Sequence, residues 1–173
     1  MREIIRNRQV VADDWTVLPL TEGDDAATLA VPPGRMIVPL AVWQAQQATL
    51  ASRTDIGVWL PSDARPEALA DAVDRLPVIA VEFPKFTDGR GYSIAFNLRS
   101  RLGYKGELRA IGDVLRDQLF YMQRVGFDAF ATRPDRDIHD ALKALTDFSE
   151  SYQTSWDQKT PLFRRAVRPG APA

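Results

Sequence analysis

Cysteine is absent from these 173 residues, and histidine occurs once, as His139. The first absence excludes disulfides, thiolate zinc sites, cysteine-ligated iron–sulfur clusters and a nucleophilic thiol. The second leaves any metal site to oxygen ligands, so none is expected. His139 has no partner that suggests a triad and reads as a solvated or capping residue near the start of the last helix. An excess of either charge is also missing. Lys and Arg number 22 against 23 Asp and Glu, a balance that argues against general nucleic-acid binding. No apolar run approaches the roughly 20 residues of a membrane-spanning helix. The opening Met1–Arg8 is basic but lacks the long apolar core of a secretory signal. The expectation is a cytoplasmic protein with neither nucleic acid nor membrane as partner.

The length suits a single domain over residues 1–173. Residues 1–34 read as an N-terminal β arm with loops. The turn-like Asp13-Asp14 separates its apolar stretches, and Glu22–Asp25 and Val31–Gly34 are loop signals. Residues 35–152 read as an α/β core. Strands are expected at Met36–Leu40, Ile56–Leu60, Val78–Phe83, Leu108–Ile111 and Phe127–Ala131. Between and after them, helices are expected at Ala41–Ala51, Arg65–Leu76, Tyr92–Leu102, Val114–Val125 and Arg136–Tyr152. Gly103 and Gly126 stand where C-terminal caps belong. Residues 153–173, basic and then Pro/Gly-rich, read as an extended C-terminal tail, peripheral or disordered.

Alternating strands and helices imply parallel pairing with helical crossovers. The expected architecture is an open parallel sheet of about five strands in a three-layer, Rossmann-like arrangement. A partial TIM-barrel-like βα repeat completed by dimerisation is the alternative, since a full barrel needs roughly 250 residues.

Parallel strands place their C-terminal ends on one rim, where open α/β proteins bind ligands. Charged residues gather there: Glu82, Lys85, Asp88, Arg90, Asp113, Arg133 and Asp135, with Trp59 and Ser62 from the second strand. The candidate anion-binding set is Lys85, Thr87, Asp88, Gly89, Arg90, Gly91 and Ser93. Its glycines would permit a tight turn, and free amides at a helix start attract anions. The competing reading makes Asp88 a helix cap, pairs Arg90 with a neighbouring acid and leaves the glycines as turn residues only. The loop is neither a P-loop nor a dinucleotide fingerprint. Glu82 and Asp113 are the candidate catalytic carboxylates. Glu82 lies in an apolar strand, where an unpaired carboxylate is costly; Lys85, Arg109 or Arg116 could partner it. A raised pKa would suit Glu82 to general-base work, while Asp113 could equally be a cap. Arg116, Phe120, Tyr121 and Arg124 form the candidate interface on the next helix, with ordinary helix–sheet packing as the competing reading.

The runs Val81–Ser93 and Gly103–Tyr121, with Val38-Pro39-Leu40 and Gly57-Val58-Trp59-Leu60, resemble a bacterial family of unknown function whose members are described as oxidoreductases involved in sulfite reduction. The similarity extends from about Met36 to Phe148. It implies a place beside sulfite reductase and phosphoadenylyl-sulfate reductase, and it carries no catalytic residue across. Reduction of sulfite to sulfide takes six electrons, and a chain without cysteine cannot ligate the cluster that normally handles them. A redox role here would need a bound flavin or nicotinamide nucleotide, and no fingerprint for either is present. The expected function is therefore an accessory protein of sulfate and sulfite reduction, acting with sulfite reductase or its electron donor. The alternatives are a small-anion or nucleotide-binding enzyme of sulfur metabolism and a structural homodimer without a small ligand.

Overall fold

A computed structural model describes residues 2–165. Among these residues the chain forms β1 (Glu3–Arg6), β2 (Gln9–Ala12), β3 (Thr16–Val17), β4 (Met36–Pro39), α1 (Leu40–Ala45), α2 (Gln47–Leu50), β5 (Ile56–Leu60), β6 (Val78–Phe83), α3 (Arg90–Ser100), β7 (Glu107–Gly112), α4 (Leu119–Val125), β8 (Ala129–Phe130), α5 (Ile138–Lys143) and α6 (Leu162–Arg165). Single 3-10 turns lie at Pro66–Leu69, Arg116–Gln118 and Ala144–Thr146.

All eight strands join one sheet in the order β2-β1-β8-β7-β6-β5-β4-β3. From β3 to β8, neighbours are parallel and consecutive in sequence. The N-terminal hairpin then adds antiparallel strands at the β8 edge, β1 on β8 and β2 on β1. Its turn is Asn7-Arg8, both with positive φ, the primed geometry whose twist matches that of the flanking strands.

This corrects the expected five-strand, open, Rossmann-like sheet. A three-layer doubly wound sheet needs a reversal of strand order, so that successive crossovers fall on opposite faces. From β3 to β8 the order here never reverses, and the core residues of α1 to α5 all pack on the same side of the sheet. The result is a curled, mixed half-barrel, α/β overall, and nearer to the alternative of a barrel-like repeat.

Period-two alternation divides the strands between two cores. Ile79, Val81 and Phe83 of β6, with Val58, Leu60, Leu108, Ala110 and Phe130, pack under the helices against Val42, Ile94, Leu98, Leu119, Met122 and Ala144. The opposite face buries Ile4, Ile37, Val78, Ala80, Ile111 and Ala131, and no helix among the described residues covers it. Val11, Trp15, Val17 and Trp59 do. Arg109, fully buried in β7, also faces this side. Its guanidinium reaches Asp13 at 2.9 Å and Glu107 at 2.7 Å, pinning the N-terminal arm across the sheet.

Several helices are shorter than periodicity suggests. Arg65–Leu76 forms a 3-10 turn followed by irregular turns, Val114–Val125 begins with the 3-10 turn at Arg116–Gln118 and is α-helical only from Leu119, and α5 ends at Lys143. Phe148, inside the span Arg136–Tyr152 expected as the last helix, lies beyond α5 and is 64% exposed. Within residues 153–165, the Gln153 carbonyl and Asp157 meet Arg124 of α4, and Arg165 pairs back with Glu150. The remainder of the expected tail, 166–173, lies outside the described residues.

Candidate functional site

Parallel pairing carries the loops after β5, β6, β7 and β8 to one border, where side chains close on one another. Ser62 Oγ donates to Asp88 Oδ2 at 2.8 Å, and Arg90 Nη2 donates to Ser62 Oγ at 2.8 Å. Arg90 also grips the Asp88 carboxylate through Nε at 2.9 Å and Nη2 at 2.6 Å. The Arg90 guanidinium holds the Asp88 carboxyl far below the usual carboxylate range, and Ser62 adds to the effect. The Arg90 amide donates to Asp88 Oδ1 at 3.1 Å. A carboxylate of the chain itself thus sits where an anion would meet the start of α3.

The second constellation lies one strand over. Asp113 Oδ2 accepts from the Phe86 amide at 2.8 Å, and its Oδ1 pairs with Arg133 at 3.2 Å. Arg133 is shared with Asp135, which it contacts through two nitrogens at 2.9 and 2.8 Å. Asp113 therefore ties two rim loops together instead of capping a helix.

Gly89 and Gly91 do not serve a turn with positive φ. Gly89 has φ −84°, and Gly91 lies inside α3, where a Cβ would come within 2.6 Å of the Phe83 ring. Gly91 is needed for close helix–sheet approach. Gly112 is the conformational case: its φ is +91°, and a Cβ there would meet the Phe83 carbonyl oxygen at 2.4 Å.

Glu82 stands apart from both constellations. It pairs in register with Ile111 and points to the face without helices, beside the row that contains Ala80. It is half-buried, and burial pushes its pKa up. Among the described residues no cation lies within ion-pair distance: Arg109 is committed to Asp13 and Glu107, and Arg116 to Asp140 and Asp147. Lys85 and Thr87 are exposed on the rim, while Ser93 lies on the outer side of α3.

The candidate interface residues separate. Tyr121 is 53% exposed and stacks edge-on with Tyr92 at 5.1 Å. Phe120 is half-buried against Phe148 at 4.9 Å. Arg116 is held by α5 and the segment after it. Arg124 is buried, gripping Asp157 at 3.3 Å, together with Ser151 and the Gln153 carbonyl.

Gln118, not singled out from the sequence, is buried and bridges the rim. Its Oε1 accepts from the Leu115 amide at 2.9 Å, and its Nε2 donates to the Phe86 carbonyl at 3.3 Å. No local pattern marks it. Also unforeseen is an open groove of about 690 Å³ between α3, α4 and the C-terminal segment. Tyr92, Phe96, Tyr121 and Trp156 line it, with Arg101 and Lys159 as its charged residues. Lys159 Nζ lies 5.2 Å from the Trp156 ring.

No helix among the described residues is long and apolar enough to cross a membrane, and they contain no group of acidic and histidine side chains placed to hold a metal ion. No curated protein and no solved structure matches the chain. Residues 57–163, more than half of its length, match the family model described as "Bacterial protein of unknown function (DUF934)", and the chain belongs to that family.

Proposed function

We propose that this protein is an accessory protein of assimilatory sulfate and sulfite reduction that works by docking on sulfite reductase or its electron donor. The pathway comes from the resemblance of Val81–Ser93 and Gly103–Tyr121. The docking role is supported by the contrast between two surfaces. On the rim, the Ser62–Asp88–Arg90 and Asp113–Arg133–Asp135 groups satisfy one another. A general base or nucleophile in such a set would have to break its own ion pairs before acting. On the helical side, by contrast, Phe96 and Tyr121 stand 39% and 53% exposed beside an open groove. Exposed aromatics of this kind anchor protein interfaces. The single observation that carries the reading is a rim whose charged side chains are paired with one another, set against a groove lined by exposed aromatic rings.

A deletion strain supplied with sulfate, sulfite or sulfide as sole sulfur source tests the pathway. Impaired growth on sulfate and sulfite, rescued by sulfide, is the expected result. Co-purification with tagged sulfite reductase or its donor tests the docking. Unimpaired growth on sulfate together with no association would end the proposal.

A further inference from the structure

The groove between α3, α4 and the C-terminal segment has a chemical bias that specifies what it accepts. Its charged lining is Arg101 and Lys159, with no carboxylate among the lining residues. Neither cation forms an ion pair among the described residues, whereas most arginines elsewhere in the fold do. In a chain whose acids slightly outnumber its bases, two unpaired cations beside one groove give a local positive field that the net charge conceals.

The aromatic groups are placed with equal asymmetry. Tyr92 is in the first turn of α3 and stacks on Tyr121, Phe96 follows one turn later, and Arg101 lies just past the helix end. From Tyr92 to Arg101 the helix rises about 14 Å, which matches roughly four residues of extended peptide. An aromatic end and a cationic end are therefore one short peptide apart. Trp156 forms part of the opposite wall, with Lys159 over its ring. The groove is open along its length, which favours a strand or helix laid into it over a small molecule that must be mostly enclosed.

We infer that this groove binds a short acidic segment of a partner protein, with an aromatic or branched aliphatic side chain seated against Tyr92, Phe96 and Tyr121 and carboxylates facing Arg101 and Lys159. The inference deepens the docking reading above by naming the chemistry of the docked segment. Desolvated contact with the aromatic rings supplies most of the affinity, and the cations set the sign of the partner and its on-rate.

The test pans a displayed library of random short peptides against the full chain and measures the enriched peptides in solution. Peptides combining at least two carboxylates with one large apolar residue are the expected enrichment. Their binding should fall about tenfold or more in R101E/K159E and in Tyr121→Ser, and weaken with added salt. Lys85→Glu, the reversal of one exposed rim cation outside the groove, should leave binding within about twofold. All the altered side chains are exposed, and unchanged thermal unfolding of the variants checks that they fold. Enrichment of basic or uncharged peptides, no enrichment above background, equal loss with Lys85→Glu, or preferential retention of a single-stranded oligonucleotide would each overturn the inference. None of these outcomes depends on sulfur metabolism, so failure here is distinct from failure of the deletion strain.

Discussion

At the scale of single residues, Glu82 reports on the helix-free face of the sheet. Burial raises its pKa without a compensating cation. Below the unfolded value of about 4.3 the group is protonated in both states and adds no penalty. As pH rises through the higher folded pKa, the folded state must hold a poorly solvated carboxylate, and stability falls. Glu82→Gln is expected to raise unfolding free energy at pH 7 by no more than about 1 kcal/mol, given partial solvent screening. The gain should vanish near pH 4, as read by urea unfolding at both values. A loss of stability at pH 7 in Glu82→Gln would mean instead that the carboxylate is paired with a cation. Gly91 gives a second prediction at this scale. A methyl group there meets the Phe83 ring at 2.6 Å, whereas at Gly89 it meets only Tyr92 Cδ2 at 3.7 Å. Gly91→Ala should cost about 1–3 kcal/mol through overpacking, while Gly89→Ala should be neutral or slightly stabilising. Paired denaturation midpoints compare them directly.

At the scale of elements, the C-terminal segment behaves as part of the helical layer. Arg124, near the end of α4, reaches Asp157, Ser151 and the Gln153 carbonyl, and its side chain is only 7% exposed. Trp156 then packs against Gly126, just past the helix end. Arg124→Ala should therefore free residues 151–158 before it unfolds the sheet. Limited proteolysis is expected to cut there first, with a global loss of about 2 kcal/mol. Cleavage elsewhere, or none, would show that the segment is held by its apolar contacts alone. The helix carrying Arg124 was legible as a span ending at Gly126, but its facing was not. An arginine beside Phe120 and Tyr121 resembles a solvated interface residue until a distant carboxylate turns it inward.

At the scale of the whole molecule, Arg109 joins the first residues to the centre of the sheet. It is fully buried, Asp13 and Glu107 have side chains 2% and 13% exposed, and Asp13 is 96 residues away along the chain. Removing the cation leaves Asp13 buried without an ion-pair partner and Glu107 with Arg6 alone, at 3.4 Å. Arg109→Met should cost about 3–5 kcal/mol. Adding Asp13→Asn and Glu107→Gln should recover part of that loss, because the uncompensated charge goes with them. Chemical denaturation of the single and triple variants measures both. A triple variant no better than the single one would mean that Arg109 acts through packing.

The sequence by itself determined that parallel βα units build the centre, which strand positions are apolar, and that charged loops follow the strands. Each is a local property: the period of two, the turn chemistry at strand ends and the glycine after a helix are written within a few residues of where they act. Only the tertiary structure decided that strand order never reverses from β3 to β8, that the N-terminal hairpin closes one edge antiparallel, and that Ser62 meets Asp88 and Arg90, and Arg133 meets Asp113, from neighbouring loops. Strand order depends on which edge each crossover extends, and charge pairing depends on distances through space. Periodicity contains neither quantity, so Asp13 reads as a turn residue until the sheet brings Arg109 to it.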